Sequence, residues 1–190
     1  MTYMKSNHSE ILHAAAPIET ARLMLRRPQD DDTQDILEYG SDERVLEHLI
    51  WPGVATLDEA KASLYDYLMP NPGVFMIEVK DEQKCIGSFD LRMMPDHHKA
   101  SFGFCINSKY WGRGYMTEAL GAMLELCFDK LELNRVEASC FKGNEASGRV
   151  QEKCGMQLEG FSPQAQLVKG VFKDEYIYGI TRQQWLALQG

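Results

Sequence analysis

The run Lys109-Tyr110-Trp111-Gly112-Arg113-Gly114-Tyr115-Met116-Thr117 is the part of the sequence best suited to chemistry. Two glycines flank Arg113, so the backbone can take positive φ there and a ligand can approach the main chain closely. Behind them Met116, Leu120, Met123, Leu124, Cys127 and Leu131 recur at helical spacing, which predicts a helix from Tyr115 to Leu131. A helix start presents unpaired N–H groups and the positive end of a dipole. A strand ending near Ile106, a glycine-rich turn and then a helix therefore make an anion site suited to a phosphate or pyrophosphate. Arg113 and Lys109 add local positive charge. The bland alternative is a turn that only joins a strand to a helix.

Common nucleotide motifs fit this run poorly. No G-x-x-x-x-G-K-[ST] is present, and Gly112 and Gly114 are followed by Thr117 where G-x-G-x-x-G needs a third glycine. The strands ahead of the turn read as a hairpin, whereas a dinucleotide fold needs parallel βαβ units. Strands are expected at Arg22–Arg26, Val74–Val79, Cys85–Arg92, Ala100–Ile106, Arg135–Phe141, Leu158–Phe161 and Glu175–Ile180. Helices are expected at Thr33–Tyr39, Glu43–Leu49, Ala146–Cys154 and from Thr56, a capping box with Glu59, to about Met69. Two early helices, an antiparallel meander and then strand–helix–strand give a mixed α/β (α+β) fold.

The chain has 190 residues, 44% hydrophobic and 25% charged, which is ordinary globular usage. Residues 1–17 show no periodicity and are expected to be a flexible extension, leaving 18–190 as one domain. Acidic residues number 28 against 20 basic, a net charge of −8, so no nucleic acid partner is expected. That balance leaves room for a local basic pocket. Cys85, Cys105, Cys127, Cys140 and Cys154 are odd in number and offer no C-x-x-C pair, so they read as reduced, mostly buried side chains, with no metal site. No apolar run reaches ~20 residues, so no membrane partner is expected, and a cytoplasmic location is the default.

Several segments together resemble one family. Ile106-Asn107-Ser108-Lys109-Tyr110-Trp111-Gly112-Arg113-Gly114-Tyr115-Met116-Thr117-Glu118-Ala119 resembles the acetyl-CoA motif of the GNAT N-acetyltransferases. It is most similar to the ribosomal-protein N-terminal acetyltransferase (RimJ/RimL type) branch. Ile18 to Arg26 resembles that branch's opening strand, Asn144 to Gly160 its "N-x-x-S…K-x-G-F…E-G" segment, and Gly170-Val171-Phe172-Lys173-Asp174 its "G-x-Y-x-D" turn. The resemblance covers about residues 18 to 185.

The resemblance implies acetyl-CoA as co-substrate and acetyl transfer to an amine acceptor by direct attack in a ternary complex. It implies a mostly antiparallel sheet flanked by helices, with the strands at Ala100–Ile106 and Arg135–Phe141 splayed apart at the CoA site. Backbone N–H groups of Trp111, Gly112, Arg113, Gly114, Tyr115, Met116 and Thr117 would hold the pyrophosphate. Phe104, Cys105 and Ile106 would pair with the pantetheine arm. Asn144 would hydrogen-bond the cofactor, and Ser147 would sit near its sulfur. Many relatives carry Glu, a candidate general base, where Ser101 stands here. A monomer or homodimer is compatible with the resemblance.

Acetyl transfer from a thioester needs a neutral amine and a protonated leaving thiolate. An α-amine titrates near 8 and a lysine near 10.4, so the free α-amine is roughly a few hundred-fold more available at neutral pH. That favours a protein or peptide N-terminus, including a basic ribosomal-protein tail, and lessens the need for a strong base. The alternatives are a small-molecule acceptor (amino acid, polyamine or antibiotic) and a non-catalytic CoA-binding protein. Ser147 is the candidate acid, with helix capping as its ordinary role. Ser101 can order a water in place of a base. Asp90, Glu47, His48, His97, His98 and Trp51 are candidates for the acceptor side, each also readable as an ordinary surface or core residue. Arg149 and Lys153 can meet the cofactor's phosphates or simply decorate a helix.

Overall fold

The computed structural model describes residues 8–190. Its apolar runs form one 8-stranded sheet. The strands are β1 Ile18–Glu19, β2 Leu23–Arg26, β3 Val74–Val79, β4 Lys84–Met94, β5 Lys99–Ile106, β6 Arg135–Phe141, β7 Gln157–Val168 and β8 Val171–Thr181. Their order is β1-β2-β3-β4-β5-β6-β8-β7. Every neighbouring pair is antiparallel except β5 with β6. The helices are α1 His8–Ala15, α2 Thr33–Gly40, α3 Glu43–Leu46, α4 Leu57–Ser63, α5 Tyr115–Glu125, α6 Glu145–Lys153 and α7 Arg182–Gln189. A wider helical turn extends α4 over Leu64–Leu68 and α5 over Leu126–Lys130, so both paths end where the spacing predicts.

Two apolar layers hold the sheet, and β3 shows how one strand serves both. Its side chains alternate between faces. Phe75 and Ile77 pack with Met116, Leu120, Met123 and Leu124 of α5. Val74 and Met76 pack with Ile36 and Tyr39 of α2 and Ala60 of α4. Each large side chain buried here stabilises the fold by about 1.5–3 kcal/mol. The glycine-rich turn is thus fixed to the sheet through the helix that follows it.

Strands β5 and β6 share only three register pairs, Lys99–Arg135, Ala100–Val136 and Ser101–Glu137. On their outer sides β5 stays paired with β4 to Ile106, and β6 stays paired with β8 to Phe141. The two strands therefore part beyond Ser101, and a wedge opens in the middle of the sheet. This is the mixed, mostly antiparallel fold with a splayed pair that the resemblance implied.

Four expectations are corrected. Residues 8–15 are helix α1, not a flexible extension, because Leu12 docks into the core at 2% exposure; residues 1–7 lie outside the described residues. The helix expected over Glu43–Leu49 stops at Leu46. The short strands expected at Leu158–Phe161 and Glu175–Ile180 are halves of a long hairpin, turned at Lys169 (φ 49°) and Gly170 (φ 80°). Successive positive φ values are what a tight hairpin needs. Finally, Thr56 caps Glu59 N as expected, but Glu59 reaches back to Ala55 N rather than to Thr56.

Candidate active site

A cavity of about 530 Å³ occupies the wedge. Phe102 to Cys105 of β5 line one wall and Ser139 to Phe141 of β6 the other, with Asn144, Ser147 and Gln151 of α6 beside them. The loop residues His48, Leu49, Ile50 and Trp51, with Tyr67, Asp90 and Arg92, line the outer part, and Gln166 and Glu175 reach in from β7 and β8. Such a volume suits one small molecule or the reacting ends of two larger ones. Lys169 Nζ donates to Leu46 O at 2.8 Å, which ties the β7–β8 hairpin to α3 across one side of this region.

The structure gathers Phe104, Cys105, Asn144 and Ser147 on the cavity, together with His48, Trp51 and Asp90. Asp90 is not the solvated strand residue it resembles in sequence. It accepts from Tyr67 Oη at 2.7 Å and Arg92 Nε at 3.0 Å, with Asn71 Nδ2 at 3.4 Å. Ser101 does not line the cavity, because it occupies the last register pair before the strands part. Glu47, His97, His98, Arg149 and Lys153 do not line it either.

Helix α6 presents Ser147 inward. Asn144 is its N-cap, its Oδ1 accepting from Ser147 N at 3.3 Å, so capping falls to Asn144 and not to Ser147. Gln151 Nε2 donates to Ser147 Oγ at 3.3 Å, leaving the hydroxyl proton free to be donated elsewhere. Gln151 is fully buried, and its Oε1 has no hydrogen-bond partner among the described residues. A buried orphan acceptor is costly unless a bound group satisfies it. Along β5 the edge that faces β6 is likewise unpaired beyond Ser101.

The glycine run is separate from this cavity. Gly112 and Gly114 have φ of 74° and 79°, and among the described residues no side chain caps the start of α5. Among the described residues a Cβ built on Gly112 would meet nothing within 4 Å, so the cradle is open to them. Trp111 Nε1 donates to Ile106 O at 2.8 Å and ties the cradle to the end of β5. That bond occupies the Ile106 carbonyl, and Cys105 turns its backbone to Ser88 of β4, so the free edge comes down to the backbone groups of Phe104 and the Ile106 N–H. The Met116 side chain is buried in the core, so it offers only its backbone. Lys109 is turned away from the expected role, for its Nζ pairs with Glu38 at 2.8 Å. Arg113 lies over the Tyr110 ring at 5.0 Å. Arg22, not singled out in sequence, lies beside the turn with its Nη2 3.5 Å from a Cβ built on Gly114, while its Nε pairs with Glu118 at 2.7 Å. The unpaired strand edge, the orphan Gln151 acceptor and the uncapped glycine cradle together fit a long thioester cofactor ending in a pyrophosphate.

Two cysteines face the cavity, which raises the question of an acyl-enzyme. Burial pushes the Cys105 thiol up, and burial together with Glu145 and Glu175 pushes Cys140 up to about 11. A thiol held protonated is a poor nucleophile, so neither cysteine is set up to carry the acetyl group. Among the described residues no group of three or more His, Cys, Asp or Glu is placed to hold a metal ion, and no helix is long and apolar enough to cross a membrane.

Comparison with known proteins gives the same picture. A family model described as "Acetyltransferase (GNAT) domain" matches residues 22–157. The chain is 34% identical to "Uncharacterized N-acetyltransferase YnaD" of Bacillus subtilis (strain 168), over 88% of this chain and 98% of the relative. It is 28% identical to "L-amino acid N-acetyltransferase AaaT" of Escherichia coli (strain K12), over 57% of this chain and 69% of the relative. It is 24% identical to "[Ribosomal protein uS5]-alanine N-acetyltransferase" of the same organism, over 88% of this chain and 92% of the relative.

Proposed function

The chain belongs to the acetyltransferase (GNAT) family, and on that premise we propose that it acetylates the α-amine of a protein or peptide N-terminus. Family membership makes it an acyltransferase with acetyl-CoA as co-substrate. The peptide acceptor, and a place in the ribosomal-protein branch, are our reading. The observation that carries it is the acidic, apolar-rimmed cavity. Asp90 and Glu175 set two negative charges against the one positive charge of Arg92 there. Ile50 and Tyr67 line the same cavity while remaining 60% and 51% exposed, a landing surface for residues beyond the first. The ribosomal-protein relative, alignable along almost the whole chain, supports this reading.

Acetyl-CoA supplies, when bound, an acetyl group already activated as a thioester. In our reading the N–H groups of Gly112 to Thr117 bind its pyrophosphate, with Arg113 adding charge and Arg22, paired with Glu118, holding the turn in place. The free edge of β5 at Phe104 hydrogen-bonds the pantetheine arm, and the Asn144 amide contributes. Ser147 holds its hydroxyl proton toward the departing sulfur, oriented by Gln151. Positioning of amine and thioester in one wedge carries much of the barrier, as effective molarity does generally. A cavity of about 530 Å³ also suits a small amine, the second reading.

The test is thiol release from acetyl-CoA with a lysine-free peptide, its α-blocked twin, spermidine and free amino acids. The reading expects turnover of the free peptide alone. Turnover confined to spermidine or amino acids overturns it in favour of the second reading.

A further inference from the structure

We propose that Glu175 receives the acceptor's ammonium group in the cavity and takes its proton. The inference rests on the acetyltransferase reading, which leaves the proton acceptor unassigned once Ser101 lies outside the cavity. Glu175 sits on β8 at the mouth of the wedge, in register with Phe141 of β6. It is 8% exposed and lines the same cavity as Ser147.

Its surroundings differ from those of the other buried carboxylate, Asp32, and the other cavity carboxylate, Asp90. Asp32, 2% exposed, is paired with the Arg26 guanidinium at 2.7 Å. Asp90 has Arg92 and Tyr67. Among the described residues Glu175 has no cation, and its one side-chain hydrogen bond comes from Gln166 Nε2 to Oε1 at 2.7 Å. A buried carboxylate without a counter-charge is costly. A cationic amine entering the cavity removes that cost, and Oε2 is free to meet it.

The chain is bent to build this pair. The β7–β8 register slips between Ser162–Glu175 and Gln166–Lys173. Gln164, at φ 50°, donates its N–H to Asp174 Oδ1 at 3.0 Å within that bulge. A bulge re-aims side chains along a strand, and here it brings Gln166 beside Glu175. The proton step is balanced within these groups. One N–H bond of the ammonium breaks, its electron pair stays on nitrogen, and an O–H bond forms on the carboxylate. The nitrogen lone pair is then free to attack. With Ser147 as donor and Glu175 as acceptor, one proton enters and one leaves on two sides of one cavity.

The experiment compares wild type with Glu175→Gln and with Glu175→Met, a second neutral replacement of similar length. Thermal midpoints are measured in ethylammonium chloride and in sodium chloride at equal ionic strength. The wild type should gain about 3 °C or more as ethylammonium saturates, because only the folded state binds it. Glu175→Gln, which keeps an acceptor for Gln166, should be at least as stable without amine, and neither variant should show an amine-specific gain. Against an acceptor the wild type turns over, Glu175→Gln should lower kcat/KM roughly 10²–10³-fold, with KM for acetyl-CoA within about threefold. An amine-insensitive wild type, a variant that keeps the gain, or nearly unchanged kcat/KM overturns the proposal. If the wild type turns over no amine, the acceptor reading fails, and the midpoints alone still decide the role of Glu175.

Discussion

Arg22 Nε and the Arg22 main-chain N–H both donate to the Glu118 carboxylate, each at 2.7 Å, so the residue just ahead of β2 is locked to the first turn of α5. Thr20 Oγ1 joins the same carboxylate at 2.6 Å. Arg22 Nη1 donates to Arg113 O at 2.9 Å, and the guanidinium lies 4.5 Å over the Tyr115 ring. One arginine thus holds the glycine turn, the helix start and the sheet in register. Arg22 is 46% exposed, so screening discounts the ion pair itself. Arg22→Ala should cost about 1 kcal/mol, a fall of ~2–4 °C in Tm by calorimetry. The larger effect should be on the cradle, a rise of about tenfold in KM for acetyl-CoA at little change in kcat.

Gly114 has a φ of 79°, where a β-branched side chain is strained by about 1–3 kcal/mol. Space is not the obstacle, because the nearest atom to an added Cβ is Arg22 Nη2 at 3.5 Å. Gly114→Val should therefore fold, yet lose measurable CoA binding in calorimetric titration. Retained binding would refute the assignment of this turn to the pyrophosphate.

Ser147→Ala keeps the helix cap, since Asn144 supplies it. The expected result is a fall in kcat of roughly 10–100-fold with KM for acetyl-CoA within about threefold, as for loss of one proton donor. Steady-state kinetics check this, and unchanged kcat removes Ser147 from the mechanism.

Glu38 gathers Lys109, Lys84 and Asn107 beneath the glycine turn. Hydrogen bonds from Lys109 first, then Lys84 and Asn107, hold its carboxyl down at about 2. In the unfolded chain a glutamate titrates near 4.3. The folded value is the lower one, so this stabilisation is complete above about pH 4.5 and is lost as pH falls toward 2. Denaturant titrations across that window should show a shallower loss of stability in Glu38→Gln than in wild type.

Much of this site was legible in the residues. Glycines either side of Arg113 and an apolar stripe from Met116 to Leu131 mark the cradle and its helix without any fold, because positive φ and helical spacing are local properties. The splay at Ser101 was available only through family resemblance, since strand pairing is not a local property. Glu175 and Gln166 were missed because their significance lies in a missing counter-charge and a bulge, neither of which has a sequence signature. Lys109 misled for the mirror reason: a lysine beside a phosphate turn reads as a ligand until Glu38, 71 residues away in sequence, is seen to neutralise it. Leu12 escaped notice because α1 is short and amphipathic around a single buried residue.

The most direct test of the central claim is mass-spectrometric localisation of the acetyl group on a peptide carrying one α-amine and one lysine, after incubation with this protein and acetyl-CoA. The expected product carries the acetyl group on the N-terminal α-amine and none on the lysine, and blocking the N-terminus abolishes it. Acetyl groups on the lysine alone, or an unmodified peptide under conditions where spermidine or free amino acids are acetylated, would contradict it.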